Sequence, residues 1–171
     1  VRDAAYRGLP KETRSGLHEQ FASFLEESTG DRAAEYEEII GYHLEQAFTF
    51  RTQLGPVTDE MVALQHRAHV RLTSAGERAL LRGDLPAALN LFQRAAQLAP
   101  GSADRAETLT HVGRVLVRLG QLAEADALLE QALELARENE DELRAGRAEI
   151  AREFVRLQLE PEEHSVQIVD L

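Results

Sequence analysis

Two stretches of this chain repeat one another in phase. Leu72, Ala75, Gly76, Ala79, Gly83, Ala88, Phe92 and Ala95 are each followed, 37 residues later, by Leu109, Val112, Gly113, Leu116, Gly120, Ala125, Leu129 and Ala132. Within each set the apolar and small positions recur at three and four, the spacing of one helical face, and a glycine divides the set in two. That pattern is a helix, a turn and a second helix. A unit of this size cannot bury its apolar face alone and must stack on its neighbours, so the repeat points to a solenoid of helical hairpins, the competing reading being a generic antiparallel helical bundle with chance alanine spacing. Such a stack presents surface, which points to binding rather than catalysis.

The remaining sequence reads as helix throughout. β-branched runs of period two are missing except at Val166 to Val169. A first helix is expected over Lys11 to Glu27 with Leu17, Phe21, Phe24 and Leu25 on one side, its apolar face, ended by Ser28, Thr29 and Gly30. Asp31 is the expected cap of a second helix whose face holds Tyr36, Ile39, Ile40, His43, Leu44, Ala47 and Phe48. Gly55 and Pro56 break the chain, and Asp59 is expected to cap a long helix to Leu81. Helices over Pro86 to Leu98, Ala106 to Leu119, Leu122 to Glu138 and Leu143 to Leu159 follow, the last reading as the opening half of a third hairpin whose partner lies largely or wholly beyond residue 171. The division expected is a helical segment, 1–57, then repeats over 58–102, 103–140 and a partial 141–171.

The first hairpin resembles the tetratricopeptide repeat in Leu72-x2-Ala75-Gly76-x2-Ala79, in Ala88-x3-Phe92 and in Pro100 at the terminal proline position. The second departs from it with Leu129 for the aromatic residue and Arg137 for the proline. The usual repeat is about 34 residues; the excess here is assigned to a loop from Gly101 to Asp104. The expected fold is therefore all-α, about two and a half tetratricopeptide-like hairpins preceded by a two-helix segment. In that family the small residue lets helices approach closely, the large apolar one fills the gap between hairpins, and the first helix of each hairpin lines a concave groove.

Charge narrows the partners. The formal net charge is −11, against the basic footprint that nucleic-acid binding requires. Residues 61–119 carry eight basic and four acidic groups, whereas 1–60 carry six and twelve and 120–171 five and fourteen, so a basic middle lies between acidic ends. Lys11 is the only lysine; arginine in its place, with abundant alanine, points to a GC-rich bacterial genome. There is no cysteine, which rules out disulfides and thiolate metal sites and fits a cytoplasmic setting. No apolar run reaches the roughly 20 residues a membrane helix needs. The chain starts at Val1 and reads as a piece of a longer protein.

The N-terminal third carries a second resemblance. Val1-Arg2-Asp3-Ala4-Ala5-Tyr6, Leu9-Pro10, Arg14, Leu17-His18, Leu25-Glu26 and Tyr42-His43-Leu44-Glu45-Gln46-Ala47 are similar to the segment following the ATPase core in large bacterial signalling ATPases. Many of these carry an adenylate or guanylate cyclase domain at the front and a tetratricopeptide tail; others are transcription regulators. The resemblance implies that about the first 28 residues end a winged-helix or linker element, and that the rest is the tail.

No catalytic constellation emerges. Lys11 lies between Pro10 and Glu12 without a phosphate loop, and His18-Glu19 lacks the second histidine of a zinc-protease helix, which falls at Ala22. His66 and His69 are three apart with no third ligand evident, and are read as ordinary, partly exposed histidines. Acidic runs such as Glu140-Asp141-Glu142 read as solvated surface. No cofactor or metal is expected. His18 and His43 lie beside apolar faces, either as packed, hydrogen-bonded rings or as a pH-sensitive contact.

Arginines give the candidate site. Arg114 and Arg118, at i and i+4, fall on the groove face, and Arg152 and Arg156 take the equivalent places if the third hairpin starts near Arg144. Together they suit an acidic peptide or chain-terminal carboxylate; the competing role is pairing with Glu149, Glu153 or Glu160. A second stripe, Arg67, Arg71, Arg78 and Arg82, is placed to meet the acidic first helices. The expected role is a non-enzymatic interaction or sensor arm that binds a protein partner or other domains of its own chain. Alternatives are a structural scaffold or a homodimer formed through the open terminal hairpin.

Overall fold

A computed structural model describes residue 6 and residues 8–159. The Val166–Val169 stretch and the Val1–Ala5 part of the N-terminal resemblance lie outside them. The described residues hold seven α-helices: α1 (Lys11–Thr29), α2 (Glu37–Thr52), α3 (Asp59–Leu81), α4 (Leu85–Gln97), α5 (Ser102–Arg118), α6 (Leu122–Glu138) and α7 (Glu142–Leu159). A 3-10 segment, Gly30–Tyr36, joins α1 to α2. Each helix packs on its successor, and α5 also meets α7. The chain is an all-α helical-repeat solenoid in which α3–α4 and α5–α6 are the two phased hairpins and α1–α2 stacks ahead of them.

Side-chain caps start three helices. The Thr58 hydroxyl accepts from the Met61 N–H, Asp84 Oδ1 from Ala87 (3.2 Å) and Asp141 Oδ1 from Arg144 (3.0 Å), each satisfying a donor that the first turn leaves open. Thr58, not Asp59, is thus the cap of α3. Both hairpin turns end in a glycine of positive φ, Gly83 at 78° and Gly120 at 77°. After each, the next N–H reaches back five residues, Asp84 to the Ala79 carbonyl and Gln121 to Leu116, closing the helix end.

The packing follows from size matching. A β-carbon on Gly76 would sit 2.8 Å from the Phe92 ring, and one on Gly113 2.6 Å from Leu129, so the absent side chain is what lets the second helix of each hairpin close on the first. Ala88 and Ala125 are fully buried at the crossings. Phe92 also stacks on His111 of the following hairpin, rings 4.8 Å apart and 9° from parallel, filling the space between units. Gly41 on α2 meets Leu72 on α3 in the same manner, with a would-be β-carbon 2.9 Å away.

Four local expectations are corrected. The buried side of α1 is Ser15, His18 and Ala22, while Leu17, Phe21 and Phe24 are exposed, Phe24 to 60%. The Ser15 hydroxyl donates to the Ala47 carbonyl (2.9 Å) and His18 meets His43, so polar groups with partners on α2 take the inside. The second helix starts at Glu37, not Asp31. The extra residues of the repeat are not a loop: α5 already begins at Ser102. His69 is buried, its Nδ1 donating to the Ala95 carbonyl at 3.0 Å, so it is no surface ligand.

Candidate functional site

The first helices of successive units, α3, α5 and α7, form a cleft of about 660 Å³. Glu77 and Leu80 come from α3, Glu107, Thr110, His111, Arg114, Val117 and Arg118 from α5, and Arg144, Arg147, Ile150, Ala151 and Phe154 from α7. Helical phase places these on one side: on α5 the positions recur at three and four, and the opposite side is taken by core residues such as Val112 and Leu116.

Arg114 and Arg118 lie in the cleft, on exposed positions, as the sequence pattern predicts. Arg152 and Arg156 do not. Arg152 turns to α6, donating to Asp126 (2.8 Å) and pairing with Glu130 (2.8 Å), and Arg156 lies 3.9 Å from Asp126. The reason is phase. The true equivalents of Arg114 and Arg118 at 37 residues are Ala151, in the cleft, and Val155, fully buried. One residue further on rotates a side chain by about 100° around the helix. The α7 arginines that do reach the cleft are Arg144 and Arg147, two turns nearer the start of the helix.

The electrostatics of the cleft are uneven. Arg144 and Arg147 share Glu107, at 2.9 and 3.4 Å, and Arg144 also holds Asp141, whose carboxyl is kept below its usual range first by the Arg144 backbone N–H and then by its guanidinium. Arg114 and Arg118 make no ion pair with any described residue. His111 sits at the floor, with Nδ1 buried and without a partner and Nε2 3.9 Å from Glu77. Burial against Phe92 lowers its pKa; Glu77 opposes this and Arg114 adds to it, so the ring is neutral at neutral pH. Beside these charges Ile150 and Phe154 are exposed by 75% and 58%, giving the cleft an apolar wall on α7.

The second arginine stripe does meet the N-terminal helices. Arg67 and Arg71 hold Glu26 of α1 at 2.6 and 3.1 Å, and Arg78 holds Glu37 of α2 at 2.9 Å. Arg94 adds Glu45. Arg82 is exposed and makes no ion pair among the described residues. Among those residues no group of three or more metal-ligating side chains occurs, and no helix is long and apolar enough to cross a membrane.

Helical hairpins stacked so that alternate helices line one cleft form a repeat scaffold. Residues 72–138, from within α3 to the end of α6, match the tetratricopeptide repeat family, whose repeats mediate protein–protein interaction. No curated protein and no solved structure matches the chain.

Proposed function

We propose that this chain is the interaction arm of a larger signalling protein, and that the α3–α5–α7 cleft takes an acidic segment bearing apolar anchors. The observation that carries this reading is the state of Arg114 and Arg118. The arginines on α3 that face the N-terminal helices are matched by glutamates, and Arg144 and Arg147 share Glu107, but these two guanidinium groups face the cleft without a carboxylate partner among the described residues. Guanidinium groups grip carboxylates in two-pronged fashion, and Val117, Ile150 and Phe154 alongside would receive apolar side chains.

The similarity of the N-terminal third to signalling ATPases supplies the context: a partner or neighbouring domain held in the cleft would bias an ATPase switch, and through it a nucleotide cyclase or a transcription regulator, in a cytoplasmic bacterial protein. The division at residue 57 into a linker segment and repeats belongs to the same reading. The test is fluorescence anisotropy with labelled Glu-rich peptides carrying Leu or Ile anchors. Arg114→Glu with Arg118→Glu is expected to weaken binding at least about tenfold, corresponding to roughly 1.4 kcal/mol, and Arg82→Glu to leave it unchanged. Equal loss in both variants would reduce the effect to overall charge.

A second reading, self-association, is favoured by Leu143, Ile150, Phe154 and Leu157, which recur on one side of α7 and are all exposed. Light scattering decides it: a dimer abolished by Ile150→Glu supports self-association, and a monomer removes it.

A further inference from the structure

Between α1 and α2 two imidazoles face each other. His18 Nδ1 lies 2.8 Å from His43 Nδ1, and the other nitrogen of His18 lies 2.7 Å from the Tyr6 hydroxyl, so the three side chains form one hydrogen-bonded row. An Nδ1 to Nδ1 contact of this length holds one proton. One ring donates and the other accepts, and a second proton would set two N–H groups head to head. The row therefore has a strict charge limit: His43 can gain a proton on its far nitrogen and still donate to His18, but the two rings cannot both be charged while the contact lasts.

The surroundings give a proton little help. Around the pair stand Arg14, Tyr6, Tyr42 and Phe50; the Arg14 guanidinium lies 4.4 Å over the Phe50 ring, and its Nε is buried without a hydrogen-bond partner. Neither ring has a carboxylate within ion-pair reach among the described residues. The inward carboxylates of these two helices are committed to arginines: Glu19 to Arg51, Glu26 to Arg67 and Arg71, Glu37 to Arg71 and Arg78, Glu45 to Arg94.

We propose that the His18–His43 contact is a proton-sensitive latch that closes α1 on α2 at neutral pH and releases it under mild acid. The latch bears on more than two rings. Phe21 packs edge-on against His43 with centroids 4.6 Å apart, and Phe21 and Phe24 stack at 6.4 Å, so release also frees the aromatic outer side of the N-terminal hairpin. The sign follows from the environment. Burial holds both rings below the usual 6.5, and His43 and then Arg14 add to this for His18. The unfolded chain therefore takes up protons first. Stability from the neutral pair is present above the unfolded value and is lost as pH falls below it, until the folded rings are protonated as well.

The experiment is amide hydrogen exchange on the 171-residue chain at about pH 7.5 and about pH 5.5, either side of the histidine range, corrected for intrinsic exchange. The expected result is a several-fold loss of protection in α1 and α2 at the lower pH relative to α6 and α7, which carry no histidine, and its disappearance in His43→Gln, which keeps an acceptor and cannot be charged. An equal loss in every helix, or an unchanged loss in His43→Gln, overturns the latch. Ring 15N shifts of the unsubstituted chain give an independent reading: one shared Nδ1 proton at neutral pH supports it, and two rings that titrate together at or above the usual value overturn it.

Discussion

The N-terminal hairpin and the repeat hairpins solve the same packing problem with different chemistry. In α3–α4 and α5–α6 a glycine on one helix faces a large apolar side chain on the other, Gly76 against Phe92 and Gly113 against Leu129, and nothing in the contact titrates. In α1–α2 the inner positions include Ser15 and His18, joined to α2 by hydrogen bonds, and α1 is fastened further by Glu19–Arg51 and Glu26–Arg67. Its large apolar residues Leu17, Phe21 and Phe24 face outward. Shape interlock is indifferent to pH and salt, whereas polar fastening responds to both. The glycine interlock inside each repeat hairpin is thus the fixed element and the polar fastening of the first hairpin the conditional one, while between the repeats His111 is a titrating group as well.

The contrast breaks first at Phe92. It is fully buried, touches Gly76 and stacks on His111, so Phe92→Ala is expected to cost about 3–5 kcal/mol in urea unfolding. A loss below about 1 kcal/mol would mean that the interlock collapses readily around the gap and does not hold the repeats. A smaller effect sharpens the turn rule. After α6 the chain bends at Glu140, with φ of 55°, where the two earlier turns use glycine, and the Asp141 N–H still reaches back to the Ala136 carbonyl. Glu140→Gly is expected to raise stability by about 1 kcal/mol, because it removes the side-chain penalty of a left-handed residue. The least effect is expected at Phe24: Phe24→Ser should stay within about 0.5 kcal/mol, as for exposed positions generally. A loss as large as that of Phe92→Ala would mean that the outer side of α1 is covered in solution.

What could be read from the sequence and what could not divide along the same line. Helix α6 runs from Leu122 to Glu138 as its pattern predicts, and Gly83 and Gly120 turn the chain where expected, because these features depend on local backbone chemistry. The lengths of α4 and α6, 13 and 17 residues, follow from a single substitution: Pro100 withdraws a donor and disfavours helix at Ala99, while Arg137 at the equivalent place lets α6 continue. The inner side of α1 was not legible, since the period of Leu17, Phe21 and Phe24 outweighs Ser15 and His18 until their partners on α2 are known. At the cleft, Arg114 and Arg118 are found by phase, and Arg152 and Arg156 are misplaced by a one-residue slip that strict application of the 37-residue offset corrects. Arg144 and Arg147 were missed because their approach depends on how α7 docks against α5. The Gly41–Leu72 contact did leave a signal, a small residue opposite a large one, of the kind that marks Gly76 and Gly113.

The cleft has a further property that comes from its walls belonging to three separate units. No single hairpin encloses it; Glu77, Arg114 and Arg147 are brought together by the packing of α3 on α4, α4 on α5 and α5 on α7. Its width is therefore a reading of the curvature of the whole array. Bending the solenoid would spread or gather the arginines, and an occupant that bridged α5 and α7 would stiffen the array in return, by the reciprocity that links any two coupled equilibria. On the proposed function, the cleft would register strain in the array as well as hold a partner.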